Sequence, residues 1–172
     1  QRQMCIRDRI SADWSQIELR VLAHFSKDQR LVAAFRDEID LHRATASELF
    51  SVPESDVSPE QRNVGKTVNF ATIYGQGATA LGQQLSLTRK EAKQMIDRYF
   101  ELYSGVRTWL DETIDTAHEC GFVSTILGRK RYIPELSSNN FSDRAYGERI
   151  AANTPIQGSA ADICKLAMLE IH

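Results

Sequence analysis

Cysteine is scarce: Cys5, Cys120 and Cys164 are the three in 172 residues, and their spacing suits neither a zinc site nor a disulfide framework. A reducing, cytoplasmic setting is therefore the expectation. No run approaches the roughly eighteen consecutive apolar residues of a membrane span, and no charged, apolar and small-residue succession marks a secretory signal. Internal repeats and low-complexity stretches are absent as well. Net charge is only −2, from 21 basic and 23 acidic residues, so the sum does not announce a nucleic-acid binder. The distribution says more, because acidic residues crowd Asp37 to Glu60 whereas Arg129, Lys130, Arg131, Arg144 and Arg149 cluster late. That cluster offers a local phosphate-binding patch, with an ordinary solvated face as the other reading, Lys130 above all.

What remains is the pattern of a globular chain, 42% hydrophobic, long enough for one domain with a real core. The periodicity predicts a mostly α fold with a small β component. A strand near Arg9 to Asp13 leads to helices near Gln16 to Ser26, Gln29 to Phe35, Leu41 to Phe50 and Pro59 to Tyr74. Thr88 and Glu91 form a capping box that opens a helix to Tyr103; Ser104 and Gly105 break it, and Val106 to Cys120 continues to Gly121. Phe122 to Ile126 and Lys130 to Ile133 read as a hairpin around Leu127 and Gly128. Helices near Asp143 to Asn153 and Gln157 to Ile171 follow.

The most function-bearing stretch is Gln61 to Gly75. Arg62, Lys66, Phe70 and Tyr74 recur every four residues, so on a helix they stack along one face, two cations and then two aromatics. Such a face can hold a polyphosphate at one end and stack a base or sugar at the other. The helix is well signalled, with Ser58 at the N-cap, Pro59 at the first helical position and Gln61 three residues after the cap. Gly75 and Gly77 permit a left-handed stop. The plainer alternative is an amphipathic helix with Val64, Val68 and Ile73 on a core and solvated cations outside. Gly65, Lys66 and Thr67 imitate the end of a P-loop. The first glycine of that motif would fall on Glu60, however, and the run lies inside a helix, where no backbone nest can form.

A second segment runs from Ile10 to Arg20. Asp13 ends a short extended run, a position that favours a metal ligand, with a turn residue as the plainer reading, and Ser15 with Glu18 makes a capping box that explains Glu18 without any function.

Taken together, Asp13-Trp-Ser-Gln-Ile-Glu-Leu-Arg20 and the later Arg62, Lys66, Phe70, Tyr74, Gly75 series resemble the first two active-site motifs of family A DNA polymerases, the bacterial DNA polymerase I group. Asp40 to Thr45, Thr125 to Arg131, and Glu148 to Asn153 running into Pro155 to Ile163 extend the similarity. It covers about Ile10 to the end. The resemblance implies the fingers and part of the palm of a right-hand polymerase. Residues 10–26 would be a palm segment, 27–135 the fingers with the nucleotide-binding helix 59–75, and 136–172 helices returning to the palm. Residues 1–9 fit neither the resemblance nor a structural pattern and are expected to be a non-native or disordered leader.

The implied chemistry is template-directed DNA synthesis, nucleotidyl transfer from a dNTP to a primer 3′-hydroxyl assisted by two Mg²⁺ ions. By this resemblance Asp13 is a bridging metal ligand and the Trp14 backbone carbonyl a further contact. Arg62, Lys66, His42 and Gln16 meet the triphosphate or order its surroundings, with Lys66 as candidate proton donor to pyrophosphate. Phe70 packs near the deoxyribose, Tyr74 occupies the template-base position in the open state, and Glu18 excludes ribonucleotides. Arg149, Asn153 and Gln157, four residues apart, would contact the primer-template minor groove, where contacts check pairing geometry without reading sequence. Arg129 and Arg131 would add phosphate contacts to that DNA.

Two departures qualify the resemblance. Trp14 stands where the family usually has tyrosine. The third motif, with the second metal-binding aspartate, has no counterpart before His172, so this stretch alone is expected to have little activity while the complete protein works as a monomer, away from membranes. The competing readings are a single-subunit phage-type RNA polymerase, a non-catalytic nucleic-acid binding module and a purely structural helical domain.

Overall fold

The structure, a computed structural model, describes residues 13–171. The expected leader at residues 1–9, Cys5 and most of the strand expected near Arg9 to Asp13 lie outside this range, as does His172. Asp13 itself is in no strand.

Eight α-helices and a two-stranded sheet make up the described chain. Helix α1 (Ile17–Ser26) starts at Gln16, whose backbone is left-handed with φ 56° and which makes no side-chain cap. The expected Ser15–Glu18 capping box is thus not formed. A left-handed residue at the N-cap turns the chain sharply into the helix, and Glu18 is left available for a partner elsewhere. Helix α2 (Gln29–Arg36) is capped by Asp28, whose Oδ1 accepts the N–H groups of Arg30 and Leu31. Helix α3 (Leu41–Phe50) is capped in the same way by Asp40, through the N–H groups of His42 and Arg43. Helix α4 (Pro59–Ile73) opens with the expected Ser58–Gln61 capping box and proline in its first turn.

Helices α3 and α4 lie in unusually close contact. A Cβ placed on Gly65 would come 2.3 Å from the carbonyl oxygen of His42, so only glycine allows this approach. Gly75 ends α4 with φ +62°, as expected, but Gly77 is extended and serves as N-cap of α5 (Ala78–Leu85), a helix the periodicity did not indicate. Helix α6 (Arg89–Leu102) carries the expected Thr88–Glu91 box. The break before α7 (Ser104–Cys120) falls at Tyr103. Ser104 and Gly105 start the new helix, because the Gly105 N–H is bound by the second oxygen of Asp28 at 2.9 Å. One buried aspartate therefore fixes the starts of both α2 and α7.

Gly121, at φ 75°, ends α7 and leads into the hairpin of β1 (Phe122–Ser124) and β2 (Lys130–Tyr132), paired antiparallel with Val123 opposite Arg131. Instead of two last helices there is one, α8 (Phe141–Ile171), running through Pro155. The proline ring gives up one backbone hydrogen bond, but Ile150, Ala151, Pro155, Ile156, Ser159 and Ala160 are buried on both sides of it. Packing of α8 on α1, α7 and β1 holds the two halves collinear.

The main core gathers Leu19, Leu22, Leu31, Leu41, Val68, Ile73, Leu81, Tyr99, Val106 and Ile156, all fully buried or nearly so. A smaller cluster of Val123, Ile133, Leu136, Ile150 and Ala151 seats the hairpin against α7 and α8. No helix among the described residues is long and apolar enough to cross a membrane.

Candidate nucleotide-binding site

Helix α4 buries Val68 and Ile73, with Val64 packed at the core edge, and turns its other face outward. On that outer face Lys66, Phe70 and Tyr74, with Asn63, Thr67, Ala71, Gln76 and Gln84, line an open cleft of about 540 Å³. Phe70 and Tyr74 stack with ring centroids 6.0 Å apart and planes 21° from parallel. Lys66 is exposed, with its ammonium free to meet an anion. The four-residue spacing has thus produced a cation-to-aromatic ridge along a cavity wall.

Arg62 is not a free cation. Its Nε donates to Asp40 at 2.6 Å, so the guanidinium is aimed by the residue that also caps α3. Burial alone would raise the Asp40 carboxyl. The Arg62 hydrogen bond, the Arg43 N–H and the nearby cations outweigh it and keep the group below the usual carboxylate range. His42, on α3, is 4% exposed; its ring lies 5.9 Å from that of Phe70, and its Nδ1 meets the Asn69 amide at 3.2 Å. Burial, then the charges of Arg62 and Lys66, push its pKa down against the opposing pull of Asp40. The imidazole is held neutral beside two cations, a state that an arriving anion would reverse.

Two segments distant in sequence meet at the carboxyl end of α4. The Tyr74 hydroxyl donates to the Glu18 carboxylate at 2.5 Å. Burial first, and this bond second, push the tyrosine pKa up to about 12, so Tyr74 stays a neutral donor. Asn153 donates to the Tyr74 carbonyl at 3.3 Å, and Gln157 approaches its hydroxyl. The Arg149 side chain packs over Gly75, 3.2 Å from where a Cβ would stand. The α8 face of Arg149, Asn153 and Gln157 therefore abuts the end of the α4 ridge. The Asn153 Oδ1 has no partner although it is shielded, leaving an acceptor at the junction.

Asp13 and Trp14 are exposed and precede the turn into α1, with Gln16 half-buried at its cap. Asp13 stands five residues before Glu18, the residue of this segment that binds Tyr74. Its hard carboxylate oxygen and the Trp14 carbonyl suit Mg²⁺, which binds through one or two carboxylates and keeps several waters. No cluster of three or more His, Cys, Asp or Glu able to hold a metal occurs among the described residues.

The late basic cluster is largely engaged. Arg129 pairs with the buried Asp162 at 2.9 Å, Arg131 donates to the Thr154 hydroxyl, and Arg144 to the Ser138 carbonyl. Asp162 also accepts from Thr125 at 2.6 Å, and its pKa is lowered by that bond and then by Arg129. This clamp fixes the hairpin on α8. Lys130 lies over the Phe122 ring, 4.3 Å from its centroid. Sequence reasoning gave no role to Asp40, Asn69, Thr45 or Asp162. Asp40 was detectable as an N-cap before a helical run, whereas Asn69 carries no signal beyond being polar between apolar neighbours.

A right-hand polymerase core is the class that this arrangement indicates. The DNA polymerase family A profile matches residues 2–172, and the chain belongs to that family. It is 50% identical over 163 residues to DNA polymerase I of Caldicellulosiruptor bescii, covering 95% of this chain and 19% of that protein. The thermostable DNA polymerase I of Thermus aquaticus is 44% identical over 162 residues, covering 94% of this chain and 20% of the relative. The POL domain of Pol1 from M. smegmatis, solved in complex with DNA primer-template and dNTP, superimposes with a TM-score of 0.87 at 48% identity. That superposition covers 91% of this chain and 28% of the other. The chain thus spans about a fifth of the length of these curated relatives, and its mostly helical fold is that of a family A polymerase segment.

Proposed function

We propose that this chain is the nucleotide-gripping part of a DNA-directed DNA polymerase, with residues 27–135 as fingers and residues 10–26 and 136–172 as flanking palm elements. The observation that carries the reading is the cleft lined by Lys66, Phe70 and Tyr74, with the Tyr74 hydroxyl bound to Glu18 and, one turn before Lys66, Arg62 aimed by Asp40. In it the cations receive the triphosphate, Lys66 giving a proton to the departing pyrophosphate, while His42 lies behind the phosphate end and Gln16 at the start of α1. Phe70 supports the deoxyribose. Glu18, held in place by Tyr74, crowds the sugar 2′ position, and release of that bond lets Tyr74 leave the template-base position.

Arg149, Asn153 and Gln157 face the primer-template end, and the relative solved with primer-template and dNTP supports both partners. Arg129 and Arg131 position the hairpin beside that DNA. Asp13 and the Trp14 carbonyl would hold Mg²⁺, which when bound activates the 3′-hydroxyl and offsets charge on the phosphates. The complete enzyme is read as a cytoplasmic monomer, and this stretch alone as having little activity. In a complete polymerase carrying this segment, Asp13→Ala is expected to lower single-turnover incorporation by orders of magnitude with DNA affinity nearly kept. Glu18→Ala should relax discrimination against ribonucleotides more than it slows dNTP use. Equal rates for wild type and Asp13→Ala, or undiminished preference for dNTPs in Glu18→Ala, would reject the assignment, and a wild-type preference for rNTPs would favour an RNA polymerase.

A further inference from the structure

Behind the phosphate end of the cleft lies a buried polar chain that the proposed reaction does not use. Asn69 and Thr45 are both 0% exposed in the contact between α3 and α4. The Asn69 amide nitrogen faces His42 Nδ1 at 3.2 Å, and its oxygen faces the Thr45 hydroxyl at the same distance. The Thr45 oxygen also lies 2.8 Å from the Leu41 carbonyl and 3.1 Å from the Tyr103 hydroxyl. Thr45 has one proton and two acceptors within reach.

That surplus permits two complete hydrogen-bond patterns on the same heavy atoms. In the first, Tyr103 donates to Thr45, Thr45 to the Asn69 oxygen, and the Asn69 nitrogen to His42 Nδ1, so the neutral ring carries its proton on Nε2. In the second, the Asn69 amide is reversed: Thr45 donates to the Leu41 carbonyl, accepts from both Tyr103 and Asn69, and the Asn69 oxygen accepts from a protonated Nδ1. Tyr103 donates in both, and burial, which pushes its pKa up to about 12, keeps it a donor. No buried group loses a partner on passing between them, so the usual penalty for an unpaired buried polar atom is avoided.

We propose that Asn69 is a positioning residue that, with its amide nitrogen turned to Nδ1 as in the structure, keeps the His42 proton on Nε2 in the empty site. It reverses its amide to accept from Nδ1 when His42 takes a second proton from solvent. The polyphosphate link rests on the functional reading above, because an anion among Lys66, Arg62 and His42 is what would draw that proton in. The charged groups facing the imidazole are Asp40 at the start of its own helix and Arg62 and Lys66 on α4; Tyr103 reaches it only through Thr45.

The test is the ¹⁵N spectrum of the imidazoles of this chain, which has four histidines, with His42 assigned by its loss in His42→Gln. Wild type should show the Nε2–H tautomer and a titration midpoint below 6.5. Asn69→Ala takes away the Nδ1 partner and should lower the tautomer ratio about five- to tenfold, the worth of one hydrogen bond. Asn69→Asp offers only acceptors and should move the proton to Nδ1 and raise the midpoint. A purely structural Asn69 would lower thermal stability in either variant and leave the tautomer alone. A wild-type Nδ1–H tautomer, or retention of Nε2–H in both variants, overturns the proposal. Tripolyphosphate should raise the wild-type midpoint. If it does not while the tautomer results hold, Asn69 keeps its role and the placement of phosphate beside His42 is what fails.

Discussion

Replacing Gly65 by alanine tests the closest contact in the fold. In isolation the change favours the helix, because glycine in a helix interior costs about 0.5–1 kcal/mol relative to alanine. The new methyl would, however, stand 2.3 Å from the His42 carbonyl oxygen, 3.0 Å from the Ala46 nitrogen and 3.1 Å from the Ala46 Cβ. Ordinary carbon–oxygen contact begins near about 3.3 Å, so α3 and α4 must part by roughly 1 Å. Two of the three obstacles are backbone and cannot rotate away, which places the overpacking cost at the upper end of about 1–3 kcal/mol. The propensity gain offsets part of this, leaving a net loss of about 2 kcal/mol. For a chain of this size that corresponds to a melting temperature lower by about 4–8 °C. Thermal denaturation followed by far-ultraviolet circular dichroism measures it. Because the displaced carbonyl belongs to His42, the same variant should also weaken dNTP binding in a complete polymerase. A melting temperature equal to or above wild type would show that the helices do not approach as described.

Asp28→Ala should destabilise by roughly 2–4 kcal/mol, the sum of a lost N-cap on α2 and an unpaired Gly105 N–H. Asp28→Asn, with one acceptor oxygen, should recover about half of that in urea denaturation, and equal losses for the two would refute the double role. Gly77→Ser should stabilise by about 0.5–1 kcal/mol, because Gly77 caps α5 from an extended backbone with nothing within 4 Å of a new Cβ; a lower melting temperature would contradict this. Alkaline titration should be destabilising. Tyr74 and Tyr103 are pushed up to about 12, chiefly by burial, and Tyr99 further still. Folded-state values above the unfolded value of 10.0 mean that their contribution is complete below pH 10 and is lost as pH rises towards about 12. Urea midpoints that stay flat across that range, or phenol absorbance showing every tyrosine titrating near its ordinary value, would count against it.

Features set by neighbours in the chain are legible in the sequence. The Ser58 and Thr88 capping boxes, the left-handed stop at Gly75 and the turn at Gly121 all formed where expected, because each involves groups only a few residues apart. The Lys66, Phe70, Tyr74 ridge follows from helical spacing alone. Local reasoning failed where a distant partner intervened. Pro155 does not break α8, since packing on both sides outweighs one lost hydrogen bond; Glu18 leaves its expected cap for Tyr74, fifty-six positions away; and α7 starts at Ser104 because Asp28 binds Gly105.

The candidate site divides in the same way. Sequence alone determined which residue types stand on the α4 face and that they point one way, because a helix repeats on a scale the chain itself encodes. Only the tertiary structure decided that Arg62 is aimed by Asp40, that Arg129 is occupied by Asp162, and that His42 is buried against Asn69. Those pairings join α3 to α4 and the hairpin to α8, and they depend on how closely helices can approach. Glycine at position 65 sets that distance, and its meaning appears only when the facing carbonyl is in place.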